Sequence, residues 1–191
     1  MKKRPFPVLL ALTLSLSPAV ALAHPGHDMA NAYAGFMHPL TGWDHLLVML
    51  AVGLWAGRLG GKARWQLPLT FMLVMVAGTL AGIGGLMLPG LETGIAASVL
   101  AAGLLVALHA PLAMPWQIGL TALFAWMHGM AHGAELAVHN GYAVMLGMLL
   151  ATGLLHAAGL LLASRQMRLA SYGQRSLGGL IALAGTYMLL A

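Results

Sequence analysis

From residue 39 to its end, the chain is a series of long apolar stretches broken by short clusters of charge, proline and glycine. A helix that crosses a bilayer needs ~20 mostly apolar residues. Six stretches meet or approach that length: 39–57, 67–88, 92–110, 116–137, 142–163 and 176–191, the last being the shortest. The expected fold is all-α: a polytopic membrane helix bundle of six transmembrane helices. Ahead of it, Lys2, Lys3 and Arg4 form a charged start, 8–16 a short apolar core, and Ala21-Leu22-Ala23 a small-x-small cleavage site. Residues 1–23 therefore read as a signal peptide, with an uncleaved first helix as the alternative. Cleavage makes His24 the first residue of an outer, histidine-containing tail, 24–37, followed by a transmembrane domain over 38–191.

Composition agrees with burial in lipid. Of 191 residues, 60% are hydrophobic and 7% charged, against roughly 25% charged in soluble domains. The formal charge of +5 marks no nucleic-acid surface, because three of the nine Lys/Arg lie in the first four residues and the rest in two loops. With no cysteine, disulfides, thiolate metal sites and thiol nucleophiles are excluded.

The charges also set the topology. If His24 lies outside, one inner loop holds Arg58, Lys62 and Arg64, and another holds Arg165, Arg168 and Arg175. All the Lys/Arg beyond the leader then fall inside, as the positive-inside rule requires. Trp65 and Trp116 mark inner boundaries and Trp43 an outer one. The acids gather at the opposite side: Asp28 in the tail, Asp44 roughly 5–9 Å into the first span, and Glu92 and Glu135 at outer helix ends. Three spans per half make the halves oppositely oriented, which resembles the inverted repeats of secondary transporters.

Two clusters carry the chemistry. Ionisable groups within a membrane segment cost at least ~2.5 kcal/mol each on insertion scales and mark function more often than decoration. His128, His132 and Glu135 recur at four and three residues, so on a helix they share an arc of about 60°. Two imidazoles and a carboxylate on one face can ligate a metal cation; hydrogen bonding to neighbouring helices is the plain alternative. Gly129 and Gly133 beside them permit close approach of another helix. In the first span, His45 and Met49 are four apart, with Asp44 turned ~100° away. Asp44 serves the site or caps the first turn, and Met49 is assigned to packing, with a ligand role as the alternative. His38 precedes Pro39, which disfavours helix at 38 and places His38 at an irregular helix start that Gly42 helps to bend. In the tail, His24, His27 and Asp28 either recruit metal or form a solvated segment. His109 and His156, towards the inner ends of spans three and five, either mark an exit path or make structural hydrogen bonds.

At these residues the chain resembles the HupE/UreJ family of nickel and cobalt permeases. One match is His38-Pro39-x-x-Gly42-x-Asp44-His45-x-x-x-Met49; the other is His128-Gly129-x-Ala131-His132-Gly133-x-Glu135. Met127 stands where the family often has phenylalanine. The leader, outer tail and six-span layout also match, so the resemblance covers nearly the whole chain. It implies inward transport of Ni2+, or Co2+, across a bacterial inner membrane, supplying metalloenzymes such as hydrogenase or urease. The implied metal-handling set is His38, Asp44, His45, His128, His132 and Glu135. Glu92 corresponds by position alone, at the start of the third span.

The expected protein is thus a secondary permease and not an enzyme. Its partners are a divalent transition-metal ion, as transported substrate rather than cofactor, and the lipid bilayer. No phosphate-binding GxxxxGK[ST] loop is present, since Gly60-Gly61-Lys62 is followed by Ala63, so ATP hydrolysis is not expected. The enzymatic alternative is an intramembrane zinc-dependent hydrolase, with zinc on three histidines and an acid as general base. Against it stands the lack of an HExxH motif.

Overall fold

The computed structural model describes residues 31–136, 141–164 and 171–191. Within them lie seven helices and no strands. They are α1 (Ala32–Thr41), α2 (Trp43–Leu59), α3 (Ala63–Ile83), α4 (Leu91–Leu108), α5 (Met114–Leu136), α6 (Gly141–Leu162) and α7 (Ser171–Leu190). α3, α4 and α6 are each long and apolar enough to cross a membrane, and α1 with α2 passes the same test as a bent pair. α5 and α7 have the length but a more polar make-up. The proposed leader and the histidines of the tail, His24 and His27, lie outside the described residues.

The first span differs from its expected form. Residues 32–37, read from sequence as tail, are the opening turns of α1, whose Asn31 side chain caps Ala34 N–H at 2.9 Å. His38 and Pro39 lie inside that helix rather than at an irregular start. Proline removes one N–H donor, and α1 ends only two residues later, so little of the ladder is lost. The break falls at Gly42, the residue expected to help bend this entry, whose extended backbone turns α2 by 82° from α1.

Large apolar side chains cover much of the surface, and a set of polar groups is buried within the apolar core. Leu73, Leu123, Leu150, Leu161, Leu180 and Leu183 face outward, while Gln117, Thr121, His128, His132, Thr152 and His156 are buried. Exposed Trp43 and Tyr142 stand at one end of the bundle; exposed Trp65, Trp116 and Tyr172 stand at the other. Aromatic rings at both rims and leucines between them suit a protein surrounded by lipid.

Glycines bring the helices together in pairs. Gly78 and Gly82 of α3 face Gly129 and Gly133 of α5, Gly53 of α2 meets Gly159 of α6, and Gly103 of α4 faces Gly178 of α7. Without side chains between them, the backbones touch. These pairings are unchanged by exchanging α2 with α5, α3 with α6 and α4 with α7. The symmetry is confined to contacts between halves: α2 also packs on α3 and α4, whereas α5 makes no comparable contact with α6 or α7.

Candidate metal centre

The bend at Gly42 assembles half of the centre. On a continuous helix, His38 and His45 would stand about 10 Å apart along the axis. With the helix broken between them, their ring centroids are 5.7 Å apart. Asp44, in the first turn of α2, accepts from the His45 backbone N–H at 2.8 Å and from the His45 ring Nδ1–H at 2.7 Å. It is thus both a cap and a clamp on the imidazole, and it was not visible from the ~100° spacing that the two uses coincide.

α5 supplies the other half. His128 and His132 are 0% and 1% exposed, on the face also occupied by Gly129 and Gly133. The His132 ring lies 4.4 Å from His45 and 5.0 Å from His38, and the His128 ring lies 4.8 Å from His45. One nitrogen from each of His38, His45 and His132 falls within 4.8 Å of the other two. Glu135 Oε2 is 3.4 Å from His38 Nε2 and 3.9 Å from His132 Nδ1.

Hydrogen bonds fix which nitrogens are available. A carbonyl only accepts, so His128 Nδ1 donates to Phe124 O at 2.8 Å and its lone pair is left on Nε2. The Asp44 contact does the same for His45. The Nε2 atoms of His45 and His128, and both ring nitrogens of His132, are buried without a hydrogen-bond partner among the described residues. Such groups are costly in an apolar interior. A divalent cation would satisfy them, and the carboxylate–imidazole arrangement at His45 is the outer-shell support that metal-binding histidines commonly have.

The structure therefore brings together His38, His45, His128, His132 and Glu135, with Asp44 acting through His45. Glu92 does not join them; it stands exposed in the first turn of α4. Met49, assigned to packing, is buried beside Thr152, whose hydroxyl points to its sulfur at 3.3 Å. His156 is buried on α6 and donates from Nδ1 to Met49 O at 2.7 Å. Its neighbour Phe71 was missed by sequence reasoning, since one phenylalanine in an apolar stretch carries no signal. At the opposite end of the bundle, His109 closes α4 in a left-handed conformation (φ 53°) and accepts from Arg58 Nη2 at 3.3 Å. Burial, with the guanidinium charges of Arg58 and Arg175, holds its pKa below the usual imidazole value.

Comparison with known proteins agrees over nearly the whole length. A model of the family described as HupE / UreJ protein matches residues 11–188. Protein HupE of Rhizobium leguminosarum bv. viciae is 42% identical over 186 residues, covering 95% of this chain and 95% of that protein. No solved structure matches the chain. The chain belongs to the HupE/UreJ family.

Proposed function

We propose that this protein is a secondary permease that carries Ni2+, with Co2+ as the alternative cargo, inward across a bacterial inner membrane. The observation that carries this reading is the meeting of His38 and His45 with His132, from helices α1, α2 and α5, where His45 Nε2 and both ring nitrogens of His132 are buried without a hydrogen-bond partner among the described residues. Membership of a family linked to nickel and cobalt uptake for hydrogenase or urease supports it. In this reading α2 to α7 are six spans, residues 1–23 are removed, and the His38/His45/His132 end faces the periplasm. The tail histidines His24 and His27 collect metal there. Asp44 and Glu135 reduce the cost of admitting two positive charges, and the imidazoles replace water on the ion. Neutral imidazole is the ligand, so acid weakens capture.

The membrane potential supplies enough driving force. At ~2.3 kcal/mol per charge per 100 mV, a dication gains about 4.6 kcal/mol, equivalent to roughly a thousandfold accumulation. The test is uptake of radioactive nickel into proteoliposomes with an imposed inside-negative potential, beside Asp44→Asn and His45→Ala variants. Metal-specific flux that disappears in the variants supports the permease and its site. Correctly inserted protein that binds metal but gives no flux would overturn it in favour of a sensor or a hydrolase.

A further inference from the structure

Beyond the outer cluster, a second set of groups lies deeper among the helices. His128 is followed by Phe71, whose ring centroid is 6.0 Å from the His128 ring and 5.0 Å from that of His156. Phe71 is fully buried and lies between the two imidazoles' elements, on α3. On α6, His156 and Thr152 are four residues apart and share a face. The Thr152 hydroxyl approaches Met49 Sδ at 3.3 Å and Met75 Sδ at 4.0 Å. Three helices thus place an imidazole, a hydroxyl and two thioethers in one buried region. A structural role explains only half of His156. Its Nδ1–H is spent on Met49 O, whereas Nε2 is buried with no partner among the described residues. An imidazole needed only as a donor leaves no reason for a second, unsatisfied nitrogen in an apolar interior. Imidazole with thioether suits a borderline or soft transition-metal cation and not Mg2+ or Ca2+.

We propose that His156 is a second, inner metal-binding station, which the ion reaches from the outer imidazoles by displacing the Phe71 ring. Thr152, Met49 and Met75 line the station and the lone pair of His156 Nε2 is its principal ligand. The inference rests on the permease reading, because a station on a path requires a path.

The experiment compares wild type with His156→Asn and His156→Ala in two measurements: equilibrium binding of Ni2+ to detergent-solubilised protein, and nickel uptake by proteoliposomes. The asparagine amide takes the place of Nδ1 and retains a donor towards Met49 O, but offers nothing at the Nε2 position. The expected result is that His156→Asn binds Ni2+ at the outer cluster as wild type does, yet takes it up at least about tenfold more slowly, about 1.4 kcal/mol in the barrier. His156→Ala should be no better. Wild-type uptake by His156→Asn would overturn the inner station and leave the permease intact. Loss of outer binding and uptake together in His156→Asn would make the residue a structural support and also overturn it. Absence of uptake in the wild type would remove the permease reading and this inference with it.

Discussion

A methyl group added at Gly78 should disable the metal centre without touching any of its residues. Gly78 lies on α3, opposite α5, and a Cβ there would stand 2.6 Å from Trp126 O and 3.2 Å from Gly129 Cα. Ordinary van der Waals contact begins at 3.4 Å, so the carbonyl must retreat by about 0.8 Å, and it belongs to helix backbone. The next residue along α5 but one is His128. Metal–ligand distances tolerate about ±0.2 Å, so the imposed shift is some four times what a bound ion accepts. Overpacking of this kind costs about 1–3 kcal/mol, and misplaced ligand support typically lowers metal affinity by about 10–100-fold. Gly78→Ala should therefore insert, melt at a lower temperature, and bind Ni2+ at least about tenfold more weakly in titration calorimetry. Gly119→Ala is the control: it lies on α5 itself, with nothing among the described residues within 4 Å of the added carbon, and should bind as wild type. Equal affinity and equal uptake for Gly78→Ala and wild type would refute the claim that the α3–α5 contact sets the ligand geometry.

Asp44→Asn removes the charge that orients His45 and should weaken nickel binding by about 10–100-fold, measured by calorimetry; unchanged binding would make Asp44 only a helix cap. Glu135→Gln should cut uptake by about tenfold or more, some 1.4 kcal/mol, with normal insertion shown by membrane fractionation. His109 should titrate below 6.5 by NMR, because burial, Arg58 and Arg175 disfavour its charged form, and Arg58→Ala should raise the value. The unfolded chain then holds more protons than the folded one between the two pKa values, so this group's contribution to stability is present above about pH 6.5 and lost as the pH falls towards the folded value.

Much of this arrangement was legible from residue spacing. The long apolar stretches became helices, and the four- and three-residue intervals placed His128, His132 and Glu135 along one face of α5. The first helix was not legible, because α1 has ten residues, half the length by which a span is recognised, and packs through Gly35 against Val144, remote in sequence. Pro39 pointed to distortion at His38, which is regular helix, whereas Gly42, expected to help bend the entry, carries the whole bend, because its backbone lacks a side chain and can leave the helix between two ligands. Neither the meeting of α1, α2 and α5 nor the position of Phe71 follows from any local pattern. Both depend on which glycine faces which backbone, a property of pairs of helices and not of either sequence segment.

That pairing also explains why the metal centre sits where it does. α5 is sealed to α3, and α2 to α6, each by glycine contacts that exclude side chains. α2 and α5 themselves hardly approach through their backbones, yet their imidazoles meet at 4.4 and 4.8 Å. The cluster therefore occupies a seam between two tightly joined pairs, and what crosses the seam there is a set of rings with unsatisfied nitrogens. α2 also packs directly on α3, so the two pairs are joined by backbone as well, and at the cluster the rings add a bridge from α2 to α5. A cation bound by His45 on one side and His132 on the other would tie α2 to α5, a pair with no extensive backbone contact of its own. The residues proposed to hold the metal are thus also the ones that join α2 to α5.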